Sequence, residues 1–328
     1  MTGQRLPTPE ELLEHAVVLS LPMRTRFRGI TTREVMIVEG PAGWGEFGPF
    51  VEYDDEESAA WLAAGIEAAY LGPPPARRDR IGVNATVPAV PASEVADILA
   101  RFPGARTAKV KVAEPGQTLD DDVARVAATR ELIGRVRVDA NGKWDVAQAI
   151  TALRAIGDLE YAEQPCATVE ELAAVRRAVD VPIAADESIR KATDPMRVVA
   201  AEAADIAVLK VAPLGGMRAV LTLAEEIGLP VVISSALDSA VGIAAGVAAA
   251  AALPELPFAC GLGTGSLFTG DVADGGTPDD GHLRPRWFGP GDLDVPSTLC
   301  AAEDRRRWWH ERLRRAHAVL TARGHRLG

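Results

Sequence analysis

The stretch YAEQPCATVEELAAVRRAVDVPIAADES, residues 161–188, decides the fold. It opens with a short run, Tyr161–Pro165, that carries Glu163. An alanine-rich helical stretch, Val169–Ala178, follows. A second β-rich run, Pro182–Glu187, carries Asp186 near its end. Two short apolar runs separated by a helix describe a strand, a crossover and a parallel strand.

The same unit repeats in both directions. Upstream runs are Ile81–Pro88, Thr107–Ala113 and Val136–Asn141, and downstream runs are Ile206–Val211, Pro230–Ala236 and Phe258–Leu262. Helix-like stretches lie between them: Ala92–Arg101, Asp120–Ile133, Val146–Ile156, Gly215–Ile227 and Ser239–Leu253. Eight strand runs alternating with helices predict an α/β fold, a (β/α)8-type barrel. A doubly wound open sheet is the alternative. Neither a Gly-x-Gly-x-x-Gly fingerprint after the first run nor a Walker loop supports nucleotide binding.

Strands of a parallel barrel are covered on both faces, so a charge within one needs a reason. The second run holds Lys109 and Lys111, and the third holds Arg137, Asp139 and Asn141. The fourth holds Glu163, the fifth Asp186 and the sixth Lys210. Alternation puts Lys109 with Lys111 on one face, and Arg137 with Asp139 and Asn141. Asp139, Glu163, Asp186 and Lys210 follow one another at intervals of 24, 23 and 24 residues. One βα unit separates each from the next, which predicts a common height at the C-terminal mouth, where barrel enzymes place their sites.

Three carboxylates on adjacent strands repel one another unless a cation lies between them. Oxygen ligands suit a hard divalent ion, so Asp139, Glu163 and Asp186 are the expected metal ligands, with Mg2+ the expected ion and Mn2+ a second choice. The competing interpretation is a buried network in which these acids pair only with Lys109, Lys111, Lys210 and Arg137. Lysines on both sides of the acids suggest chemistry at a carbon next to a carboxylate. A substrate carboxylate on the metal would have Lys111 on one face and Lys210 on the other, and the positive charge of Lys109 and the metal would favour a neutral, basic Lys111.

The flanks differ in texture. Residues 1–80 read as a small α+β unit: a strand at Arg33–Glu39, a turn at residues 40–43, a return at Trp44–Phe47 and a helix from Ser58. Residues 72–76, Gly-Pro-Pro-Pro-Ala, break the chain before the barrel at 81–264. Residues 265–328 hold a Gly-, Pro- and Asp-rich stretch. They end in an arginine-rich helix over Glu303–Arg323, expected to pack back on cap and barrel.

With 48% hydrophobic and 25% charged residues among 328, the composition is that of a globular protein. A net charge of −11 argues against nucleic acid or an anionic membrane as partner and leaves a small carboxylate substrate open. Cys166, Cys260 and Cys300 show no paired spacing, so neither disulfides nor a zinc site are expected. The stretch Ser239–Leu253 is too short and too weakly apolar to span a bilayer. The N-terminus lacks a secretory pattern, and a cytoplasmic setting is expected.

Lys109-Val-Lys111, Asp139-Ala-Asn141, Glu163-Gln-Pro165, Asp186-Glu-Ser188 and Lys210, in this order and spacing over residues 81–262, resemble the enolase superfamily, specifically its muconate-lactonising subgroup. Singly these motifs are weak; as a set they are specific. The resemblance implies a capping domain in the N-terminal unit, with Arg28 or the Leu21–Phe27 segment in a mobile loop that shuts out water. Three features resemble a dehydrating branch of that subgroup: the short chain with a trimmed cap, the pattern Ser234-Ser235-x-x-x-Ser239-x-x-Gly242, and Gly261-Leu-Gly263-Thr264.

The implied reaction is syn dehydration of a hydroxylated cyclohexadiene carboxylate to an aromatic acid. Lys111 would remove the α-proton and protonate the departing hydroxyl, and Lys210 would stabilise the opposite face as a cation. Arg28, Arg137, Asn141, Ser234, Ser235 and Gly263 are the implied substrate or supporting contacts. Many relatives carry Asp where this chain has Gly263, which puts the contacts to the substrate's tail in question.

Other readings on the same scaffold are an N-acylamino acid racemase, a muconate cycloisomerase and a dipeptide epimerase. The last usually shows Asp-x-Asp where this chain has Gly261-Leu262-Gly263. A retired barrel that only binds metal is the non-enzymatic reading, and the buried lysines argue against it.

Overall fold

Three of the barrel helices begin at reciprocal caps that the sequence offers. Thr118 with Asp121, Asp145 with Gln148, and Thr168 with Glu171 form reciprocal capping boxes, satisfying otherwise orphaned backbone donors at each helix start. These local signals turn the chain from a strand end into the returning helix. The computed structural model describes residues 5–190, 195–274 and 276–327.

The N-terminal unit comprises α1 (Pro9–Glu14), β1 (Ala16–Phe27), β2 (Ile30–Gly40), β3 (Gly43–Phe47) and α2 (Asp55–Leu71). Its three strands pair antiparallel in chain order. The expected strand, turn, return and helix are all present. The twelve-residue β1 takes in Leu21–Phe27, expected to lie in a capping loop and found as strand instead. Its outer half alternates partly buried with exposed residues and includes Pro22, which weakens the strand signature.

Next come β4 (Ile81–Gly82), β5 (Ala85–Val87), α3 (Val95–Leu99), β6 (Thr107–Lys111), α4 (Leu119–Leu132), β7 (Arg135–Asp139) and α5 (Val146–Ile156). They are followed by β8 (Tyr161–Glu163), α6 (Val169–Arg176), β9 (Ile183–Ala185), α7 (Glu187–Arg190), α8 (Arg197–Ala200) and β10 (Ile206–Leu209). The series ends with α9 (Met217–Ile227), β11 (Val231–Ile233), α10 (Ala240–Ala252), β12 (His282–Leu283) and α11 (Glu303–Ala322).

Strands β5 to β11 form one parallel sheet of seven in sequential order. The eighth run contributes only Cys260 and Gly261, bridging Val83 on one side and Ser234 on the other. Cys260 N donates to Gly82 O at 2.7 Å and Gly261 N to Ile233 O at 2.8 Å. That ladder closes the ring and rules out the open sheet.

Alternation sorts the barrel's residues. Ile183, Ala185, Ala207, Leu209, Val231 and Ile233 pack outward in the large core under the helices. Tyr161, Ala184, Ile206, Val208 and Val232 form a separate cluster inside the barrel. Glu163, Asp186 and Lys210 share the inward parity of that inner set, so they continue it toward the C-terminal mouth.

A second core joins the cap to the C-terminal segment. Leu19, Leu21, Val35, Phe47 and Trp61 pack with Leu267, Phe268, Leu299, Trp309 and Leu313. Trp309 meets Phe47 edge-on at 5.7 Å, and its indole donates to Glu34 at 3.1 Å.

Cap and barrel also meet through buried charge. Glu46 Oε2 of β3 accepts from Ser239 N at 2.9 Å and from the Ser239 hydroxyl, so the cap anchors the start of α10. Asp238 is buried beside it: a Cβ on Gly242 would lie 2.6 Å from Asp238 Cβ and 3.1 Å from Glu46 Oε1. Arg33 of β2 donates to Leu237 O at 3.1 Å and to Gly48 O.

Burial first, then the Asp238 carboxylate, pushes Glu46 up to about 8. A carboxyl raised above its ordinary 4.5 stabilises the folded chain below that value, and the contribution is lost as pH climbs through 8. The melting temperature should therefore fall between about pH 5 and pH 8, and Glu46→Gln should flatten that fall. Identical profiles for both proteins would exclude Glu46 as its source.

Candidate active site

Strand register sets the heights. Lys111 pairs with Asp139, and Asp139 with Glu163, so these three are level. Glu163 pairs with Ala184, leaving Asp186 two residues further along. The common height expected from the intervals is thus a staggered rim, as strand tilt in a closed barrel requires.

The three carboxylates are buried, Asp139 and Glu163 at 1% exposure and Asp186 at 0%. Each faces cations. Lys109 Nζ lies 2.6 Å from Glu163 and 3.2 Å from Asp139. Lys111 Nζ lies 2.5 Å from Asp139 and donates to Asn141 Oδ1 at 2.9 Å. Lys210 Nζ lies 2.5 Å from Asp186, whose other oxygen takes Arg190 Nε at 3.0 Å. Because β6 and β10 flank β7, β8 and β9 in the sheet, Lys111 and Lys210 approach from opposite sides.

The electrostatics follow from burial and these neighbours. Burial works to raise Asp139, but Lys111 and Lys109 overcome it and hold the acid well below its ordinary range. Asp186 is lowered too, against burial, by Lys210 and Arg190. Glu163 goes the other way, up to about 7. Burial drives it, Asp139 and Asp186 add to it, and Lys109 opposes. Lys111 is lowered, first by burial and then by the neighbouring Lys109 charge, with Asp139 resisting. Lys109 is raised, because Glu163 and Asp139 outweigh its burial.

Among the described residues no three acidic, histidine or cysteine side chains form a ready metal cluster, and each carboxylate carries a lysine or arginine instead. The donor set still fits a hard divalent ion. All three groups are oxygen donors on successive strands, Glu163 Oε2 is buried without a partner, and Glu163 is short of positive charge. Asp139, Glu163 and Asp186 are the residues that could hold one.

A cleft opens above these groups. Its walls include Thr86, Asn141, Glu187, Arg190, Ser234, Ser235, Leu237, Gly261 and Thr264, with Phe27 and Arg28 closing it from the cap. Phe27 and Ile30 pair across a two-residue turn in which Arg28 and Gly29 have φ of 49° and 79°. That left-handed pair makes a tight hairpin and aims its tip at the barrel mouth. The Phe27 ring centroid lies 5.5 Å from Lys111 Nζ.

Of the expected contacts, Arg28, Asn141, Ser234 and Ser235 line the cleft; Ser235 Oγ is 2.6 Å from Thr264 Oγ1. Arg137 and Gly263 do not. Arg137 turns toward the barrel floor, bonded to Glu160, to Asn84 Oδ1 at 3.3 Å and to Ala259 O at 2.7 Å, and stacked 4.5 Å from the Tyr161 ring. It shares a face with Asp139, but one layer lower its neighbours are strand starts. Gly263 packs under the rim, where a Cβ would meet Asn84 O and Phe102 at 3.1 Å. At Gly261 a Cβ would meet Ser234 Oγ at 2.4 Å, so a side chain there would have to displace the serine hydroxyl.

Sequence reasoning missed Arg190 and Tyr53, and quoted Glu187 only inside the Asp186-Glu-Ser188 motif. Arg190 stands four residues after Asp186, the helical i,i+4 spacing, and that was its one legible signal. Gln164 was quoted only as part of a motif. Its Oε1 accepts from Asp186 N at 3.0 Å and Ser188 N at 3.1 Å, fixing the turn that presents Asp186.

Residues 93–291 match the family described as Enolase C-terminal domain-like, and residues 18–69 that described as Enolase N-terminal domain-like. The chain is 63% identical over 318 residues to the o-succinylbenzoate synthase of Mycobacterium tuberculosis, covering 96% of this chain and 97% of that protein. It is also 63% identical over 319 residues to the o-succinylbenzoate synthase of Mycobacterium ulcerans, with 96% and 97% covered. Among solved structures, muconate lactonizing enzyme from Pseudomonas putida aligns with a TM-score of 0.70 at 24% identity, covering 86% of this chain and 96% of that one. N-succinyl Arg/Lys racemase from Bacillus cereus aligns at 0.70 and 21%, covering 88% and 97%. At these identities the structural likeness speaks for the fold alone.

Proposed function

The chain belongs to the enolase superfamily, and from that premise we propose that it is a carbon–oxygen lyase making o-succinylbenzoate by syn dehydration of 2-succinyl-6-hydroxy-2,4-cyclohexadiene-1-carboxylate. The observation that carries this reading is 63% identity along 96% of the chain to proteins of that activity. The cleft's charge is compatible with it. Lys109, Lys111, Arg190 and Lys210 formally balance Asp139, Glu163, Asp186 and Glu187. A divalent ion, with Arg28 at the cleft wall, would add positive charge that suits an anionic substrate.

Members of this superfamily depend on a metal, and we assign Mg2+ to Asp139, Glu163 and Asp186, with Mn2+ as a substitute. When bound it supplies positive charge at the substrate carboxylate, where negative charge grows as the α-proton leaves. Lys111, made less basic by burial and the adjacent Lys109 charge, takes the α-proton on Nζ in its free-amine form. The electron pair released at the α-carbon forms the ring double bond as the hydroxyl leaves from the same face. Lys111 returns the proton to that hydroxyl, so water departs and the base is regenerated. Lys210 stays a cation on the opposite face, and Lys109 holds Asp139 and Glu163 in place. Phe27 covers Lys111 and keeps water from it.

We assign the reaction to menaquinone assembly in the cytoplasm. No helix among the described residues is long and apolar enough to cross a membrane. Purified protein with Mg2+ should convert the cyclohexadiene to o-succinylbenzoate, followed by the change in ultraviolet absorbance. N-succinyl amino acids, assayed in parallel for loss of optical rotation, test the racemase reading. Racemisation without dehydration would overturn the assignment.

A further inference from the structure

The proposed substrate carries two carboxylates, and the metal and lysines account only for the one on the ring. Arg28 and Arg190 line both the inner cleft and the wider vestibule outside it. They therefore stand where a chain extending from the ring would pass. Arg28 comes from the cap hairpin and Arg190 from the barrel, and both approach the Tyr53 hydroxyl. Arg190 Nη1 reaches it at 3.3 Å. Burial would raise the phenol, yet the nearby charges of Arg28 and Arg190 pull it below its ordinary value.

Their pairing is incomplete in a specific way. Arg190 Nε and Nη2 are taken by Asp186 at 3.0 Å and Glu187 at 2.7 Å, while Nη1 meets the Tyr53 phenol. Arg28 has among the described residues only Glu52 as a carboxylate partner, at 3.9 Å, and stacks 4.0 Å from the Phe50 ring. A carboxylate accepts a charge-assisted hydrogen bond that a phenol cannot match.

The spacer between them is held firmly. Arg312 of α11, 1% exposed, donates to Phe50 O and Tyr53 O at 2.7 Å each and to Ser58 Oγ at 3.0 Å. The loop carrying Tyr53 is thus ordered before any ligand arrives, which lowers the entropic cost of binding there.

We propose that Arg28 and Arg190, which line the same cleft and vestibule beside Tyr53, form a subsite for the tail carboxylate of the substrate; the inference rests on the dehydratase reading. The cap hairpin and the barrel then each contribute one arm of a clamp, and the tail carboxylate draws them together over the cleft.

The test compares two competitive inhibitors in the presence of Mg2+: o-succinylbenzoate, and 2-butyrylbenzoate, which replaces the tail carboxylate with a methyl group. The wild-type protein should bind the second about 10- to 100-fold more weakly, the range of a lost charge-assisted pair. Arg28→Gln and Arg190→Gln should each weaken o-succinylbenzoate about tenfold and leave 2-butyrylbenzoate within about twofold. Both should raise KM more than they lower kcat.

Because Arg190 touches Asp186, Mn2+ affinity is measured calorimetrically for each variant. Arg28→Gln, on the cap hairpin and paired with Glu52 rather than with Asp139, Glu163 or Asp186, serves as the second arm. Equal weakening of both inhibitors by both variants, or a wild type that does not discriminate, overturns the subsite. If the wild type discriminates in neither case but still dehydrates the cyclohexadiene, only the subsite falls. If it does not dehydrate, the functional reading falls and takes the subsite with it.

Discussion

Lys111→Ala is expected to lower kcat by about 10³- to 10⁴-fold, near the upper range for removal of a positioned general base, while leaving the fold and metal binding in place. Burial and the neighbouring Lys109 charge together make Lys111 less basic. It lies under the Phe27 ring and against Asn141, so the pocket that holds it survives truncation. Asp139 keeps Lys109 at 3.2 Å, and its charge is not abandoned. Turnover, deuterium exchange at the α-carbon and the melting temperature should be measured together. A kcat within tenfold of wild type, with the fold intact, would remove Lys111 from the role of base. Loss of turnover accompanied by a collapse in melting temperature would instead mark it as structural.

Stripping divalent ions should have an effect of the same order. Protein dialysed against EDTA is expected to lose more than about 10³-fold in activity and recover it with Mg2+, as expected where a cation carries much of the charge stabilisation. Glu163→Gln should raise the Mg2+ concentration needed for half-recovery at least about tenfold, since it removes a charged ligand oxygen. Glu163 has the clearest need for a cation: one oxygen is taken by Lys109 at 2.6 Å and the other is buried without a partner. A readout independent of turnover is available, because a ligand that binds only the folded chain raises its melting temperature. Mg2+ should raise that of the wild type and leave that of Glu163→Gln nearly unchanged. Full activity after exhaustive chelation would eliminate the metal.

The spacing of Glu163, Asp186 and Lys210 was legible because the βα repeat and the two-residue alternation are properties of the chain itself. A charge inside a doubly covered strand is costly, so its position in the repeat carried information that no surface charge could. For the same reason Val146–Ile156 could be delimited as a helix from sequence, and the structure has it at those bounds. Arg137 shows where that logic stops. Parity put it on the inner face with Asp139, but the depth at which a guanidinium turns depends on what fills the layer beneath. Here Glu160, Tyr161 and Ala259 fill it, and they come from other strands.

The repeat of strand and helix, the inward face of each strand and the identity of the acids and lysines on it were determined by the sequence alone. Short-range periodicity expresses them, and backbone geometry enforces it. Tertiary structure alone decided that the ring closes through just Cys260 and Gly261, and that residues after 265 share a core with the cap. It also decided that Arg28 and Arg190, 162 positions apart, face one phenol. Those outcomes depend on which surfaces meet once the chain is folded, and no periodicity within a single element encodes a partner so distant.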